Sequence, residues 1–385
     1  MRIGIVAGES SGDILGAGLI RALRARRPDA RFEGVAGPEM LAAGCDAFFP
    51  AEDLAVMGFA EVLRHLPRLL KVRRQLRRHF LANPPDLFIG IDSPGFNLGL
   101  EQELRRAGIL TVHYVSPSIW AWKPKRVFKV GRAADLVLAL LPFEPPLYAR
   151  HGFKAEFVGH PLADRIPERI DRHALRAELH LPQEAKVVAL LPGSRITEVQ
   201  RLGRLFLDAA AWLAPKDPAL KFVIPAATPS LNRFIKTQIR SYQPDLAITL
   251  VEGHSRDVLG AADAVLLASG TASLEAMLLK CPMVVAYKLS NLSYAFIRAL
   301  DLLKIPFVSL PNLLAERELV PEFLQYQATS ASLGAAVLKL LADPEARAAQ
   351  LEGLDALAGK LRCGADERAA EAVLALLDSH ASARR

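Results

Sequence analysis

Cysteine is scarce in this chain of 385 residues, which has only three, at the widely separated positions Cys45, Cys281 and Cys363. Their spacing matches neither a zinc site nor a paired-cysteine redox motif, and isolated thiols are typical of a reducing cytoplasm. The N-terminus leads into a predicted strand without a signal peptide. No apolar run reaches the roughly 18 residues that a membrane-spanning helix requires. We therefore expect a cytoplasmic protein that does not cross a membrane.

Acidic residues are also the minority among the charged ones, with 41 Asp and Glu against 48 Lys and Arg, for a net charge of +7. The composition, 51% hydrophobic and 23% charged, is that of a soluble globular protein, and the length suggests about two domains. The basic balance indicates an anionic partner such as a phosphate compound, an acidic lipid or a nucleic acid.

A short apolar strand and a glycine turn lie at the centre of the chain, in residues 186–198, KVVALLPGSRITE. The apolar run is typical of a buried parallel strand, and a helical pattern follows it. Between them stand Gly193, Ser194 and Arg195. Backbone N–H groups at such a strand-to-helix turn face an anion, and a guanidinium suits phosphate oxygens. The pattern predicts half of a diphosphate site, although an ordinary turn with a surface arginine has the same spacing.

A second loop of small residues, 268–273, follows a predicted strand and opens another helix. Gly270 and Thr271 leave N–H groups free for a phosphate. Glu275, in the first helical turn, can accept hydrogen bonds from ribose hydroxyls or can simply cap the helix. Because both loops fall at the carboxyl edge of one predicted parallel sheet, together they predict a nucleotide site in the second half of the chain.

The first half of the chain carries two polar loops, each after a predicted strand. The loop GESSGD, 8–13, places Glu9, Ser10 and Gly12 above the sheet edge. Asp92 follows the apolar strand 86–91. Open α/β sheets bind ligands at this edge, so Asp92 is a candidate general base, and a helix N-cap is the alternative role for it.

A basic amphipathic helix follows an apolar connection within residues 55–81. We predict that this segment lies on an anionic membrane and contacts acyl chains, the alternative being a helix whose apolar stripe packs in the core. The predicted surface residues are Met57, Phe59, Val62, Leu63, Leu69, Val72 and Leu76. A tryptophan-rich segment, 116–122, precedes further basic residues and fits a lipid interface, single-stranded nucleic acid or simple aromatic packing.

Nine short motifs occur in the order seen in bacterial lipid-A-disaccharide synthases, and the chain resembles that family over roughly residues 1–330. They are GESSGD (8–13), VMGFAEVL (56–63), DSPGFN (92–97), SPSIWAW (116–122), LPFE (141–144), FVGHPL (157–162), LPGSR (191–195), SGTASLE (269–275) and SLPN (309–312). Gly95 stands where the family usually has an acid. The resemblance implies an α/β fold of two Rossmann-like domains facing a cleft, the GT-B glycosyltransferase architecture.

The expected domains are an N-terminal domain for the acceptor and the membrane in 1–165, a linker in 166–185, a UDP-sugar domain in 186–350 and a helical segment in 351–385. The resemblance implies that the protein joins UDP-2,3-diacylglucosamine to 2,3-diacylglucosamine 1-phosphate with inversion. The products are the β-1′,6-linked lipid A disaccharide 1-phosphate and UDP. It further implies a homodimer with exchanged C-terminal segments, peripheral on the inner membrane, and no nucleic acid partner.

Each candidate residue takes a role in this reaction. Asp92 is the expected base, and Arg195 the expected cation at the leaving diphosphate. The expected UDP-sugar contacts are Glu9, Ser10, Gly12, Gly193, Ser194, Gly270, Thr271, Glu275 and, by family likeness, Asn312. The chain contains no Asp-x-Asp sequence, the usual metal–diphosphate clamp. We therefore expect activity without a metal ion or another cofactor.

Two other functions stay open on the residues alone. One is a different UDP-sugar enzyme, such as an epimerase, which would not need a diacyl acceptor to act. The other is a basic module that binds a membrane or a nucleic acid without catalysis. Such a module would show a steep salt dependence and no preference for a nucleotide.

Overall fold

Short apolar segments alternate with helices along the whole chain, which is the pattern of parallel α/β sheets. The structure, a computed structural model, describes residues 1–54, 59–122, 125–289 and 306–383, and of 59–65, 121, 122 and 383 it describes the backbone only. The chain divides into two units. The first contains Met1–Asp164 and Leu361–Arg385, and the second contains Arg165–Lys360.

The first unit is built on a seven-stranded parallel sheet in the order β3-β2-β1-β4-β5-β6-β7. Its strands are β1 (Arg2–Ala7), β2 (Arg31–Ala36), β3 (Cys45–Pro50), β4 (Leu87–Ile91), β5 (Leu110–Tyr114), β6 (Leu136–Ala139) and β7 (Ala155–Phe157). The strand order reverses beside β1, where β4 pairs with it in register Ile5 to Ile89. Ligands of open α/β sheets bind at such a switch point.

In the described part of this unit, helices, several of them short, lie between the strands or follow the last one. They are α1 (Ser10–Arg26), α2 (Pro38–Ala42), α3 (Phe59–Ala82), α4 (Pro94–Arg106), α5 (Ile119–Trp122), α6 (Arg126–Ala133), α7 (Pro145–Ala149) and α8 (Pro161–Arg165), with a 3-10 turn at Ala51–Asp53. Asp13, the last residue of the GESSGD loop, is buried and accepts hydrogen bonds from Gly37 N at 2.9 Å and Met40 N at 3.0 Å. This carboxylate therefore has a structural role, since it caps α2.

The apolar stripe of α3 packs into the core of the first unit. Val72 and Leu76 are 3% and 1% exposed, and they cluster with Phe88 and Leu104. The prediction that Val72 and Leu76 lie on a membrane surface is therefore wrong, because the periodic stripe covers the sheet. Leu69 is partly buried against the same cluster.

Four other predicted surface positions lie beyond what the structure describes. Met57 lies outside the described residues, as do the side chains of Phe59, Val62 and Leu63. Among the described helices, none is both long enough and apolar enough to cross a bilayer.

The second unit is built on a six-stranded parallel sheet in the order β10-β9-β8-β11-β12-β13. Its strands are β8 (Val187–Leu191), β9 (Lys221–Ala226), β10 (Ile248–Glu252), β11 (Ala264–Ala268), β12 (Met283–Tyr287) and β13 (Glu322–Leu324). The predicted strand at 187–191 is fully buried and pairs with β9 and β11. Two parallel Rossmann-like sheets confirm the predicted α/β fold class.

The helices assigned to the second unit are α9 (Arg172–Glu178), α10 (Ile196–Leu213), α11 (Pro229–Tyr242), α12 (Ser255–Ala261), α13 (Thr271–Leu278), α14 (Leu310–Ala315), α15 (Ser330–Ala342) and α16 (Pro344–Leu361), with 3-10 turns at Ala214–Lys216 and Gln325–Gln327. Asp263 binds Arg172 and Arg176 of α9 at 2.7 Å each and accepts from Val187 N at 2.8 Å. Residues 166–185, expected as a linker, thus contribute a helix to this unit.

The last helix, α17 (Ala365–Ala383), returns to the first unit and packs on α1. The Asp164 carboxylate accepts from Gly364 N at 3.0 Å and Ala365 N at 2.6 Å, and therefore caps this helix. Arg26 of α1 pairs with Glu371 at 2.8 Å. The described part of the segment expected at 351–385 thus contains the second half of α16, which is assigned to the second unit, and the whole of α17, which belongs to the first.

Candidate functional site

A cavity of about 550 Å³ lies at the carboxyl edge of the second sheet. Loops that follow four neighbouring strands, β10, β9, β8 and β11, line it. The lining residues are Leu191, Gly193, Ser194, Arg195, Glu198, Pro225, Ala227, Gly253, His254, Ser255, Ala268, Ser269, Gly270, Thr271, Ala272 and Glu275. The structure therefore brings together the two loops that the sequence predicted as anion-binding, around one cavity.

The turn after β8 gathers hydrogen-bond donors around a single carboxylate. Ser194 N and Arg195 N donate to Glu198 Oε2 at 2.9 and 3.3 Å, and Arg195 Nη1 lies 3.8 Å from Glu198 Oε1. Gly193 has φ +138°, and a Cβ there would lie 2.4 Å from Glu198 Cβ, so only glycine fits this turn. These contacts form a capping box at the start of α10, in which the chain's own Glu198 supplies the anion.

The turn after β11 leaves the start of α13 open toward the cavity. Gly270 is the N-cap residue of α13 and has no side chain to satisfy the first N–H groups of the helix. Ser273 Oγ instead donates to Gly270 O at 2.7 Å, and Ser269 Oγ donates to Val308 O at 2.6 Å. Thr271 lines the cavity at the positive end of this helix, where an anion is stabilised.

Glu275 lies one turn further along α13 and faces the same cavity. Arg256 Nε donates to Glu275 Oε1 at 2.9 Å. The Glu275 side chain is 17% exposed, whereas that of Arg256 is 54% exposed. The carboxylate is therefore largely buried and paired with an exposed arginine while it borders the cavity.

Asn312 does not occupy the position that the family likeness suggested, because it is not among the described residues that line the cavity. Its fully buried amide donates to Val320 O at 2.9 Å and Glu322 Oε1 at 2.8 Å. Its Oδ1 accepts from Leu319 N at 2.7 Å and Val320 N at 2.8 Å. The side chain is thus committed to holding α14 against the 319–322 segment, which is a structural role.

Asp92 lies at the carboxyl edge of the first sheet in a strained turn. Asp92 and Ser93 have φ +49° and +42°, and Val115, which directly follows the neighbouring strand β5, has φ +80°. Left-handed residues other than glycine are costly and cluster at functional sites. Among the described residues, no hydrogen bond or ion pair engages the Asp92 carboxylate. Its side chain is therefore available to a ligand.

Asn97, of the same DSPGFN motif, holds this turn from below. Its fully buried Nδ2 donates to the carbonyl oxygens of Asp92 at 2.9 Å and Ile91 at 3.1 Å. A Cβ at Gly8 would lie 2.6 Å from Ser93 Oγ, so the GESSGD loop lies directly against the turn. The structure thus brings the half-buried Glu9 and the exposed Ser10 to the same sheet edge as Asp92.

A buried, hydrogen-bonded pair of side chains lies beneath β4, close to this turn. Glu101 Oε1 and His113 Nδ1 are 2.7 Å apart and both side chains are fully buried. Burial raises the pKa of Glu101, and the His113 imidazole opposes that shift. A Cβ at Gly90 would lie 2.0 Å from Glu101 Oε1, so the glycine of β4 makes room for this pair.

The tryptophan segment and the LPFE motif meet at the same edge of the first sheet. Trp120 packs edge-to-face on Phe143 with ring centroids 5.4 Å apart. Ser116 Oγ lies 2.9 Å from the Tyr148 hydroxyl. Glu144 is buried and accepts from Leu141 N at 3.2 Å. Aromatic packing, one of the alternatives for this segment, therefore describes Trp120, while the side chain of Trp122 lies outside the described residues.

Burial raises the pKa of Glu144 to about 8, although hydrogen bonds from Leu141 N and the Ser116 hydroxyl oppose the shift. A carboxylic acid that stays protonated near neutral pH next to a ligand edge is a common feature of functional sites.

Sequence reasoning assigned no function to Glu198, Asn97 or Arg256. Glu198 carried a detectable signal, since an acid three residues after an N-cap position is the capping-box spacing. Asn97 belongs to the quoted DSPGFN motif, but its buried contacts depend on the packing of α4. Arg256 meets Glu275 only because α12 and α13 are neighbours in the fold, and no local sequence pattern predicts that contact.

Comparisons with known proteins give one family from the sequence and related folds from the solved structures. The family profile described as lipid-A-disaccharide synthetase matches residues 3–375. A lipid-A-disaccharide synthase of Hahella chejuensis is 52% identical over 378 residues, covering 98% of this chain and 95% of that protein. A solved UDP-GlcNAc 2-epimerase of Neisseria meningitidis with UDP-GlcNAc bound has TM-score 0.65 at 14% identity, covering 98% and 100% of the two chains. A solved calicheamicin glycosyltransferase has TM-score 0.58 at 19% identity, covering 99% of each.

The buried Glu144 predicts a distinctive pH dependence of stability. Its folded pKa lies above the ordinary 4.5, so its contribution to folding is fully present below about pH 4.5 and is lost as the pH rises toward 8. We expect Glu144→Gln to remove this loss, which amounts to at most about 1.4 kcal/mol per pH unit. The measurement is the melting temperature of both proteins from pH 5 to pH 8.

The matched control is Glu156→Gln, which removes an exposed carboxylate from β7. We expect the advantage of Glu144→Gln over the wild type to grow with pH, and that of Glu156→Gln to stay flat. If the melting temperatures of the wild type and Glu144→Gln differed by the same amount at every pH in this range, a protonated Glu144 would be contradicted.

Proposed function

The chain belongs to the lipid-A-disaccharide synthase family, and from this premise we propose how its residues carry out the reaction. Members of this family are glycosyltransferases of lipid A synthesis. The substrates are a UDP-sugar, UDP-2,3-diacylglucosamine, and a lipid acceptor, 2,3-diacylglucosamine 1-phosphate. The products are the β-1′,6-linked disaccharide 1-phosphate and UDP.

The second unit binds the donor in the cavity at the end of β8. The diphosphate takes the place of the Glu198 carboxylate and accepts from Ser194 N and Arg195 N, as that carboxylate does in the free protein. The guanidinium of Arg195 and the open start of α13 at Thr271 add positive potential. As the glycosidic bond breaks, negative charge grows on the diphosphate, so these donors stabilise the transition state and speed the departure of UDP.

Glu275 binds the ribose of the donor in this proposal. A carboxylate is an acceptor only, and two neighbouring hydroxyl groups present two donors to it. Its place on the cavity wall, one turn from Thr271, supports this role because the ribose is joined directly to the diphosphate.

Asp92 is the general base in this proposal. Inversion at the anomeric carbon requires one displacement, in which the acceptor 6-hydroxyl attacks while UDP leaves. The proton of that hydroxyl passes to the Asp92 carboxylate as the new carbon–oxygen bond forms. Asp92 suits this task because its turn is strained and held by Asn97 and because no described side chain engages its carboxylate.

The first unit meets the membrane through the outer face of α3. Leu66 and Leu70 are 39% and 40% exposed on this face. Exposed basic residues accompany them, namely Arg68, Lys71, Arg74, Arg77 and Arg78. Exposed leucines among arginines suit the surface of an anionic bilayer, where the two acylated substrates reside. Met57, Phe59, Val62 and Leu63 stay predicted acyl-chain contacts.

The protein forms a homodimer with exchanged C-terminal segments in this proposal, and it lies peripherally on the inner membrane. The exchange is supported by the way α17 is attached at the end of the chain: its apolar face, with Ala369, Ala370 and Val373, is buried in the core of the first unit, and Asp164 and Arg26 bind its first turns. A second copy can offer the same partners to this helix.

Asp92 provides the direct test of the reaction. In an assay with UDP-2,3-diacylglucosamine, we expect the wild type to form disaccharide and release UDP only when the lipid acceptor is present. We expect Asp92→Ala to lower kcat by about 10²-fold or more while UDP affinity is kept, because only the proton transfer is lost.

Asp46→Ala removes an exposed carboxylate from the edge strand of the same sheet and serves as the control, with activity unchanged. Near-normal turnover of Asp92→Ala would remove Asp92 as the base. A sugar product or UDP formed without the acceptor would favour an epimerase or a hydrolase instead.

Acidic substitutions on the outer face of α3 test whether this face binds the membrane. We expect the double substitution Leu66→Glu and Leu70→Glu to weaken binding to vesicles that contain an anionic phospholipid by about tenfold or more, because it removes apolar contact and adds repulsion. Co-sedimentation measures this binding. Leu41→Glu, an exposed leucine on α2 across the sheet from α3, is the control. Equal loss in the control, or no loss in the double variant, would place the surface elsewhere.

A further inference from the structure

The ion pair between Arg256 and Glu275 has no role in the reaction as described so far. Arg256 is the second residue of α12, and Glu275 lies on α13, so the pair joins two helices that begin at the cavity. The Nε–Oε1 distance is 2.9 Å, and no other described residue bonds the Glu275 carboxylate. Arg256 therefore decides how this carboxylate is oriented.

Arg256 contacts the Glu275 carboxylate and is itself largely exposed. Residues adjacent to it, His254 and Ser255, line the cavity, as does Glu275, but Arg256 is not among the described lining residues. Its charge is permanent and its donor geometry is rigid, so it fixes a carboxylate better than a flexible ammonium does. One oxygen of Glu275 is thus anchored, and the carboxylate keeps a single orientation at the cavity wall.

We infer that Arg256 is a positioning residue that holds Glu275 for the ribose hydroxyls and thereby sets a preference for ribonucleotides over 2′-deoxyribonucleotides. The inference rests on the proposed function, in which Glu275 receives the ribose. Each hydroxyl that bonds an anchored carboxylate contributes its full binding free energy, because no further entropy is lost in ordering the side chain. A carboxylate without Arg256 can turn away, and the gain from the 2′-hydroxyl then falls.

The experiment compares UDP with 2′-deoxyuridine diphosphate by isothermal titration. For the wild type we expect UDP to bind about tenfold more tightly, as the loss of one hydrogen bond to a charged group requires. For Arg256→Ala we expect UDP affinity to fall by more than the affinity for the deoxy compound, which has only the 3′-hydroxyl to lose as a partner of Glu275, so that the tenfold preference for UDP shrinks. Arg256→Lys should recover part of the preference.

Turnover supplies a second readout. We expect Arg256→Ala to raise the KM for the donor and to leave kcat within about twofold, because the ribose lies away from the breaking bond. Arg240→Ala, which removes an exposed arginine from α11, is the matched control and should change neither quantity.

An equal loss of affinity for both nucleotides in Arg256→Ala would overturn the inference, since Arg256 would then act on the diphosphate or on the fold. Unchanged affinities, or a wild type that does not discriminate between the two nucleotides, would overturn it as well. Failure of the proposed function has a different signature: ribose discrimination through Arg256 with no acceptor-dependent disaccharide would leave the inference standing and remove the proposed reaction.

Discussion

The carboxylate of Glu198 accepts hydrogen bonds from two consecutive backbone N–H groups after β8, and the proposed UDP-sugar site depends on this contact. A parallel strand that ends in a glycine turn and a helix leaves such donors without partners, and a buried or half-buried donor needs an acceptor. In the free protein, the acceptor comes from α10 itself. A diphosphate has more negative charge and more acceptor oxygens than the Glu198 carboxylate. The exposed Arg195 side chain, next to Glu198, is available to pair with that charge.

In the proposed reaction, the two sheets use the same edge for different chemistry. In the second sheet, glycines and open helix starts concentrate positive potential around a cavity, which suits an anionic leaving group. In the first sheet, Asp92 sits in a strained turn that Asn97 holds and that the buried Glu101 and His113 underlie. A base needs a free carboxylate in a fixed place, and backbone strain held by buried hydrogen bonds provides this. Parallel topology puts the loops proposed to function in each unit on one edge of its sheet. The residue types in those loops then decide whether the edge binds an anion or offers a base.

Much of this could be predicted from the sequence, because buried strands and glycine turns are local patterns. The strand Val187–Leu191 and the loops that carry Arg195, Thr271 and Asp92 lie where the apolar runs indicated. The stripe of α3 was misjudged because periodicity identifies an apolar face without saying what covers it, and Val72 and Leu76 cover the sheet. Asn312 was misjudged because a motif locates a residue but not the direction of its side chain. The Glu275–Arg256 contact depends on how two helices pack, which no local pattern encodes.

The central claim is that the diphosphate of the donor binds where Glu198 now lies, and the affinity of Glu198→Gln for UDP tests it most directly. A glutamine keeps the shape and an acceptor oxygen but removes the competing charge, so the site is free in a larger fraction of molecules. We predict that isothermal titration will show UDP binding about tenfold more tightly than to the wild type. Asp245→Asn, which removes an exposed charge at the opposite edge of the sheet, should leave the affinity unchanged. Equal or weaker UDP binding by Glu198→Gln, with the control unchanged, would contradict the claim.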